Sequence, residues 1–95
     1  MCDVQTNREI WGTPFPIGGE WDAGYIRRLG QPASLVFVRR TETAFEVVRR
    51  EYRPDGVGVN RVVKVFPVAG LADDEVDAVE VEAKCFALAY RDRGG

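Results

Sequence analysis

The densest chemistry in the chain is a run of carboxylates. Asp73, Asp74, Glu75, Asp77, Glu80 and Glu82 fall within ten residues, with no basic residue among them. Acids at this density can attract a basic protein surface and steer its approach; their commonest use is to keep a helix solvated. A second group is basic: residues 39–64 hold seven Lys and Arg against four acids. Within it Arg39, Arg49, Arg50, Arg53 and Arg61 could contact phosphates or base edges from a sheet, or pair across strands with Glu42, Glu46 and Glu51. A third group is apolar, Ile10-Trp11-Gly12-Thr13-Pro14-Phe15-Pro16-Ile17. Its prolines hold it extended. Trp11 and Phe15 are residue types that anchor interfaces, and equally types that cover one face of a sheet.

Nothing in the sequence points to catalysis. There is no His, which removes the commonest general base and metal ligand. No phosphate loop, Cys-x-x-Cys pair or nucleophile elbow occurs, and Gly56-Val57-Gly58 reads as turn and strand punctuation. The expectation is a protein that is not an enzyme, with no catalytic residue, metal site or cofactor. The two cysteines, Cys2 and Cys85, form no spacing motif. With no apolar leader-like region at the start and no apolar run of about 18 residues, the chain reads as cytoplasmic, away from membranes, with both thiols reduced. Cys2 as a nucleophile would lack a His to activate it. A formal net charge of −2 is unlike that of a strongly basic nucleic-acid binder.

These groups must be positioned by one domain. The chain has 95 residues, 45% hydrophobic and 29% charged, enough for a single core over 1–95. Residues 1–18 are expected to be irregular, and 94–95 a flexible tail. Leu35-Val36-Phe37-Val38 and Ala44–Tyr52 read as strands. Arg53-Pro54-Asp55-Gly56 is a turn, and Val57–Val68 is a third strand. Val57, Val59, Val63 and Val65 are expected on one of its faces, and Phe37, Val47, Val63 and Val65 in the core. Trp21, Gly24, Tyr25, Arg28 and Leu29 fall at helical spacing, predicting a short helix over 20–29. From Ala72 onward two readings compete. A helix gathers Val76, Val79, Ala83, Phe86, Ala87 and Tyr90 in one stripe, with acids at its start and Gly94 past its end. A strand over 79–91 would also alternate. Dense alanine favours the helix. The fold class is therefore α+β: an antiparallel meander sheet of three or four strands, a short N-terminal helix and an acidic C-terminal helix.

Three resemblances follow from these residues. The size and acid density are similar to small phage inhibitors that imitate nucleic acid, which implies a regulatory or inhibitory protein-binding role. The order helix, three strands, helix resembles the double-stranded-RNA-binding domain, but Asp73-Asp74-Glu75 stands where that family carries phosphate-binding lysines. Arg93-Gly94-Gly95 resembles the tail of ubiquitin-like modifiers and sulfur carriers, whose fold sets a helix between strands. The leading expectation is a non-catalytic domain that binds a basic protein through Trp11, Phe15, Asp73, Asp74, Glu75 and Asp77. Nucleic-acid binding through the arginines is the alternative, and a Gly-Gly-tailed modifier the third.

Overall fold

A computed structural model describes residues 2–30 and 32–94. The order of elements is α1 (Asn7–Trp11), β1 (Glu20–Ile26), β2 (Ser34–Arg40), β3 (Ala44–Tyr52), β4 (Gly58–Pro67) and α2 (Asp73–Asp92). The four strands form one antiparallel sheet in the order β1-β2-β3-β4. The turns follow the local chemistry. The Thr41 hydroxyl accepts the Ala44 amide in the β2–β3 connection. In the β3–β4 turn Asp55 accepts the Val57 amide and Gly56 takes φ 86°, a left-handed angle that glycine tolerates. A hydrogen bond from Arg53, then the Val57 amide, holds the Asp55 carboxyl below its ordinary range.

The α+β meander with a short N-terminal helix and an acidic C-terminal helix is the architecture expected, but the N-terminal helix lies elsewhere. Residues 20–26 are strand β1, paired with β2, and the helix is Asn7–Trp11, inside the segment expected to be irregular. Thr6 caps it by accepting the Glu9 amide, and Gly12 closes it at φ 78°. The misreading has a physical cause. A bulge between Asp22 and Gly24 breaks the two-residue alternation of β1, so its inward residues no longer recur at strand spacing. Gly24 adopts φ 127°, and a Cβ there would meet Arg91 Nη1 at 3.1 Å. The gap lets Arg91 cross from α2 and donate to the Ala23 carbonyl at 2.6 Å. The order is helix, four strands, helix, one strand more than the dsRNA-binding order and with its first helix at Asn7–Trp11, and no helix among the described residues separates the strands as the modifier fold requires.

The helix reading of the C-terminal segment holds over its length. Asp73, Asp74 and Glu75 occupy the first turn of α2, where the helix dipole favours them, and Glu75 accepts the Ala72 amide. Gly94 follows the C-cap at φ 80°, its amide bonded to Arg91. The helix packs on one face of the sheet. Ala83 and Ala87 are buried against Val36, Val38, Phe45 and Val47, with Phe15, Ala23, Ile26 and Val68 completing this core. Leu35, Phe37 and Val48 form a second cluster on the opposite face. A further bulge, between Val47 and Val48, corrects the expected core. It leaves Val63 as the extra residue of β4, half-buried toward the helix, and sets Val65 opposite Glu46 on the other face, 45% exposed. Val57 lies in the turn outside β4. No described helix is long and apolar enough to cross a membrane.

Phe37 is fully buried. Phe37→Ala should destabilise the fold by about 3–5 kcal/mol, read as a shift of the urea midpoint. An unshifted midpoint would mean that the second cluster carries none of the sheet's stability.

Candidate functional site

The site begins with how the N-terminal segment is held. It runs antiparallel along α2 and is tied at four levels. Cys2 is disulfide-bonded to Cys85, with Cα atoms 5.6 Å apart. Lys84 Nζ donates to the Gln5 carbonyl at 2.8 Å. The Asn7 amide donates to Glu80 Oε2 at 2.7 Å. Arg8 bonds Asp77 at 2.8 Å, a contact that raises the Arg8 pKa further. The paired cysteines overturn the expectation of reduced thiols: the fold brings together residues 83 positions apart.

At the centre of this seam Glu80 and Lys84 form an ion pair at 2.7 Å, with side chains 0% and 2% exposed. The ammonium also lies 5.7 Å from the Phe15 ring and 5.2 Å from the Trp21 ring. Among the described residues Glu80 Oε1 has no hydrogen-bond partner. In the sequence Glu80 reads as one acid of the charged run and Lys84 as the first basic residue past its end. The available signal was their i,i+4 spacing beside the Val76, Ala83 and Ala87 stripe, which places both at the edge of the buried face.

Farther along the segment, Pro14, Phe15, Pro16 and Ile17 meet the start of α2. With Arg8, Arg40, Asp73, Val76 and Asp77 they line an open cleft of about 320 Å³. Phe15 takes the sheet-covering place that the sequence offered beside the anchor reading: it is buried, edge-on to Phe45 at 5.4 Å, and supplies the apolar floor. Arg40 stacks over Phe45 at 5.2 Å and bonds the Thr41 carbonyl. Ile17 is exposed, and Trp11, on α1, is 74% exposed.

The acidic run divides. Glu80 is buried and Asp77 is half-buried against Arg8, so Asp77 is no longer a free acid. Asp73, Asp74 and Glu75 are exposed and make no ion pair among the described residues. The arginines do not converge. Arg39 pairs with Glu46, Arg53 with Asp55, and Arg49 and Arg61 both with Glu51. Arg49 also reaches Tyr90 on α2, while Arg50 lies on the opposite face, over Phe37 at 4.8 Å and bonded to Asn60. Among the described residues no three potential metal ligands come together. The cleft combines an apolar floor, a neutralised Arg8–Asp77 pair and one exposed acid without an ion pair among the described residues, Asp73, with Asp74 and Glu75 beside it in the same helical turn, an arrangement suited to docking a surface.

No protein-family model, no curated protein and no solved structure matches the chain.

Lys84→Met would strand the Glu80 carboxylate in the seam and should cost about 3–5 kcal/mol. The double variant Glu80→Gln/Lys84→Met, which keeps an acceptor for the Asn7 amide, should recover at least half of that loss in urea unfolding. A loss below about 1 kcal/mol for Lys84→Met would contradict the buried pair.

Proposed function

We propose that this is a small non-catalytic binding domain that docks a partner protein with a basic surface and acts as its regulator or inhibitor. The observation that carries the reading is the acidic first turn of α2, Asp73, Asp74 and Glu75, exposed and without an ion pair among the described residues, with Asp73 lining the apolar-floored cleft. Exposed rim acids speed association through steering and add less to the final affinity. Ile17 and Trp11 supply apolar anchors, with Phe15 beneath as support. A partner reading such a surface carries Lys or Arg beside an apolar side chain. Imitation of a nucleic acid is one form this role can take.

Nucleic-acid binding is the weaker reading, because four of the five candidate arginines are already held by carboxylates and the set is spread over both faces of the sheet. A cytoplasmic location belongs to the proposal only if Cys2 and Cys85 cycle between thiol and disulfide, since cytosolic disulfides are usually transient. An oxidising compartment would keep the bond closed.

The test is capture from a nuclease-treated lysate, followed by association kinetics with the captured protein. The variant Asp73→Asn/Asp74→Asn/Glu75→Gln should associate several-fold more slowly at low ionic strength, with a flatter salt dependence. Equal rates for variant and wild type would reduce the acids to a solvated helix end. Capture that disappears with nuclease would favour the arginine reading.

A further inference from the structure

The sheet carries apolar residues at the centre of both faces. In antiparallel sheets with one solvated face, apolar and polar residues alternate, whereas near-continuous apolar runs belong to strands covered on both sides. Leu35-Val36-Phe37-Val38 in β2 and Val47-Val48 in β3 are of the second kind. Val36, Val38 and Val47 face α2; Leu35, Phe37 and Val48 face away, in a cluster that contains no helix residue. The pairing register lays out this outer face in rows. One crosses Glu20, Arg39, Glu46 and Val65; the next Asp22, Phe37, Val48 and Val62; the third Tyr25, Leu35, Arg50 and Asn60. Within one copy its apolar centre is already buried, Leu35, Phe37 and Val48 being 7%, 0% and 0% exposed with the Arg50 guanidinium over Phe37, and the apolar surface left open around it is Val62, Val65 and Tyr25, 42%, 45% and 48% exposed.

We infer that this outer face is covered by the same face of a second copy of the chain, giving a two-sheet sandwich with α2 of each copy outside. Charge supports that occupant, and size sets the strength of the association. Four strands about 4.8 Å apart and seven residues rising about 3.3 Å each make a face of roughly 19 by 23 Å. Covering it from both sides hides about 900 Å² before side-chain relief is counted, below the ~1,200 Å² at which stable interfaces begin and in the range of a weak, concentration-dependent association. The face also carries its own complement. Glu20 and Asp22, exposed on the β1 edge, make no ion pair among the described residues, and Arg50, on the β3 side, has Asn60 as partner but no carboxylate. A twofold axis along the strands lays β1 of each copy over the β3–β4 side of the other, carboxylates toward arginine, as an isologous interface requires. Such a dimer turns its two acidic helix starts outward and would engage a repeated basic partner bivalently.

Sedimentation equilibrium of the full chain at micromolar to submillimolar concentration tests this. The expected mass rises with concentration toward twice the 10.6 kDa of the chain. Val62→Asp/Val65→Asp, at exposed positions, should give a monomer with an unchanged circular dichroism spectrum. Tyr25→Lys, on the other edge of the face, should weaken the dimer at least tenfold, and Trp11→Ala, on the helix side, should leave it intact. A wild-type monomer throughout, a dimer indifferent to both outer-face variants, or one lost with Trp11→Ala would overturn the inference.

Discussion

The structure turns on a carboxylate and an ammonium taken out of water together. Burying either charge alone is prohibitive, and burying both is tolerable only when the remaining donors and acceptors are met. Glu80 and Lys84 on α2 meet much of that demand through the N-terminal segment, using the Asn7 amide and the Gln5 carbonyl. The backbone groups of residues 5–7 thereby become part of the solvation of a buried pair. A segment with too little regular structure to fold by itself acquires one fixed path along the helix.

Several features follow from that path. It brings Cys2 to Cys85 and sets Phe15 against Phe45 beneath the Lys84 ammonium. It delivers Arg8 to Asp77 and builds one wall of the cleft. It also sorts the acidic run: two of its six carboxylates are drawn into the seam, and the first three are left exposed in the first turn of α2. Charge that reads as uniform in the sequence is partitioned by the fold into a structural pair, Asp77 and Glu80, and four exposed acids. The arginines are partitioned by a different rule, strand alternation, which sends neighbours such as Arg49 and Arg50 to opposite faces.

Local signals carried the middle of the fold and the last helix. β-branched runs separated by a Pro-Asp-Gly turn specify β2 to β4, and the alanine-rich stripe with acids at its start specifies α2. What sequence reasoning missed depends on events that local pattern does not encode. The bulges at Ala23 and Val63 shift side chains between faces, so β1 imitated a helix and Val65 was assigned to the core. Pairing of Cys2 with Cys85 depends on the chain's two ends meeting, which spacing does not report. Of the candidate site, the exposed acids and Trp11 were legible as residue types. Phe15 was legible as an aromatic that anchors an interface or covers the sheet; which of the two it does depends on the N-terminal path, and that path depends on Glu80, one acid of a charged run, pairing with Lys84 beyond the run's end.

The Asn7 amide reports on this account most directly. It is the first N–H of a five-residue helix, one of the donors that a helix leaves without an internal partner, and its acceptor is Glu80 across the seam. Hydrogen exchange measured at that amide should be slowed by several orders of magnitude relative to an unstructured peptide, approaching the protection of the β2–β3 core amides. Exchange at the rate of a free chain, with the sheet protected, would show that the N-terminal segment is not anchored on the buried pair.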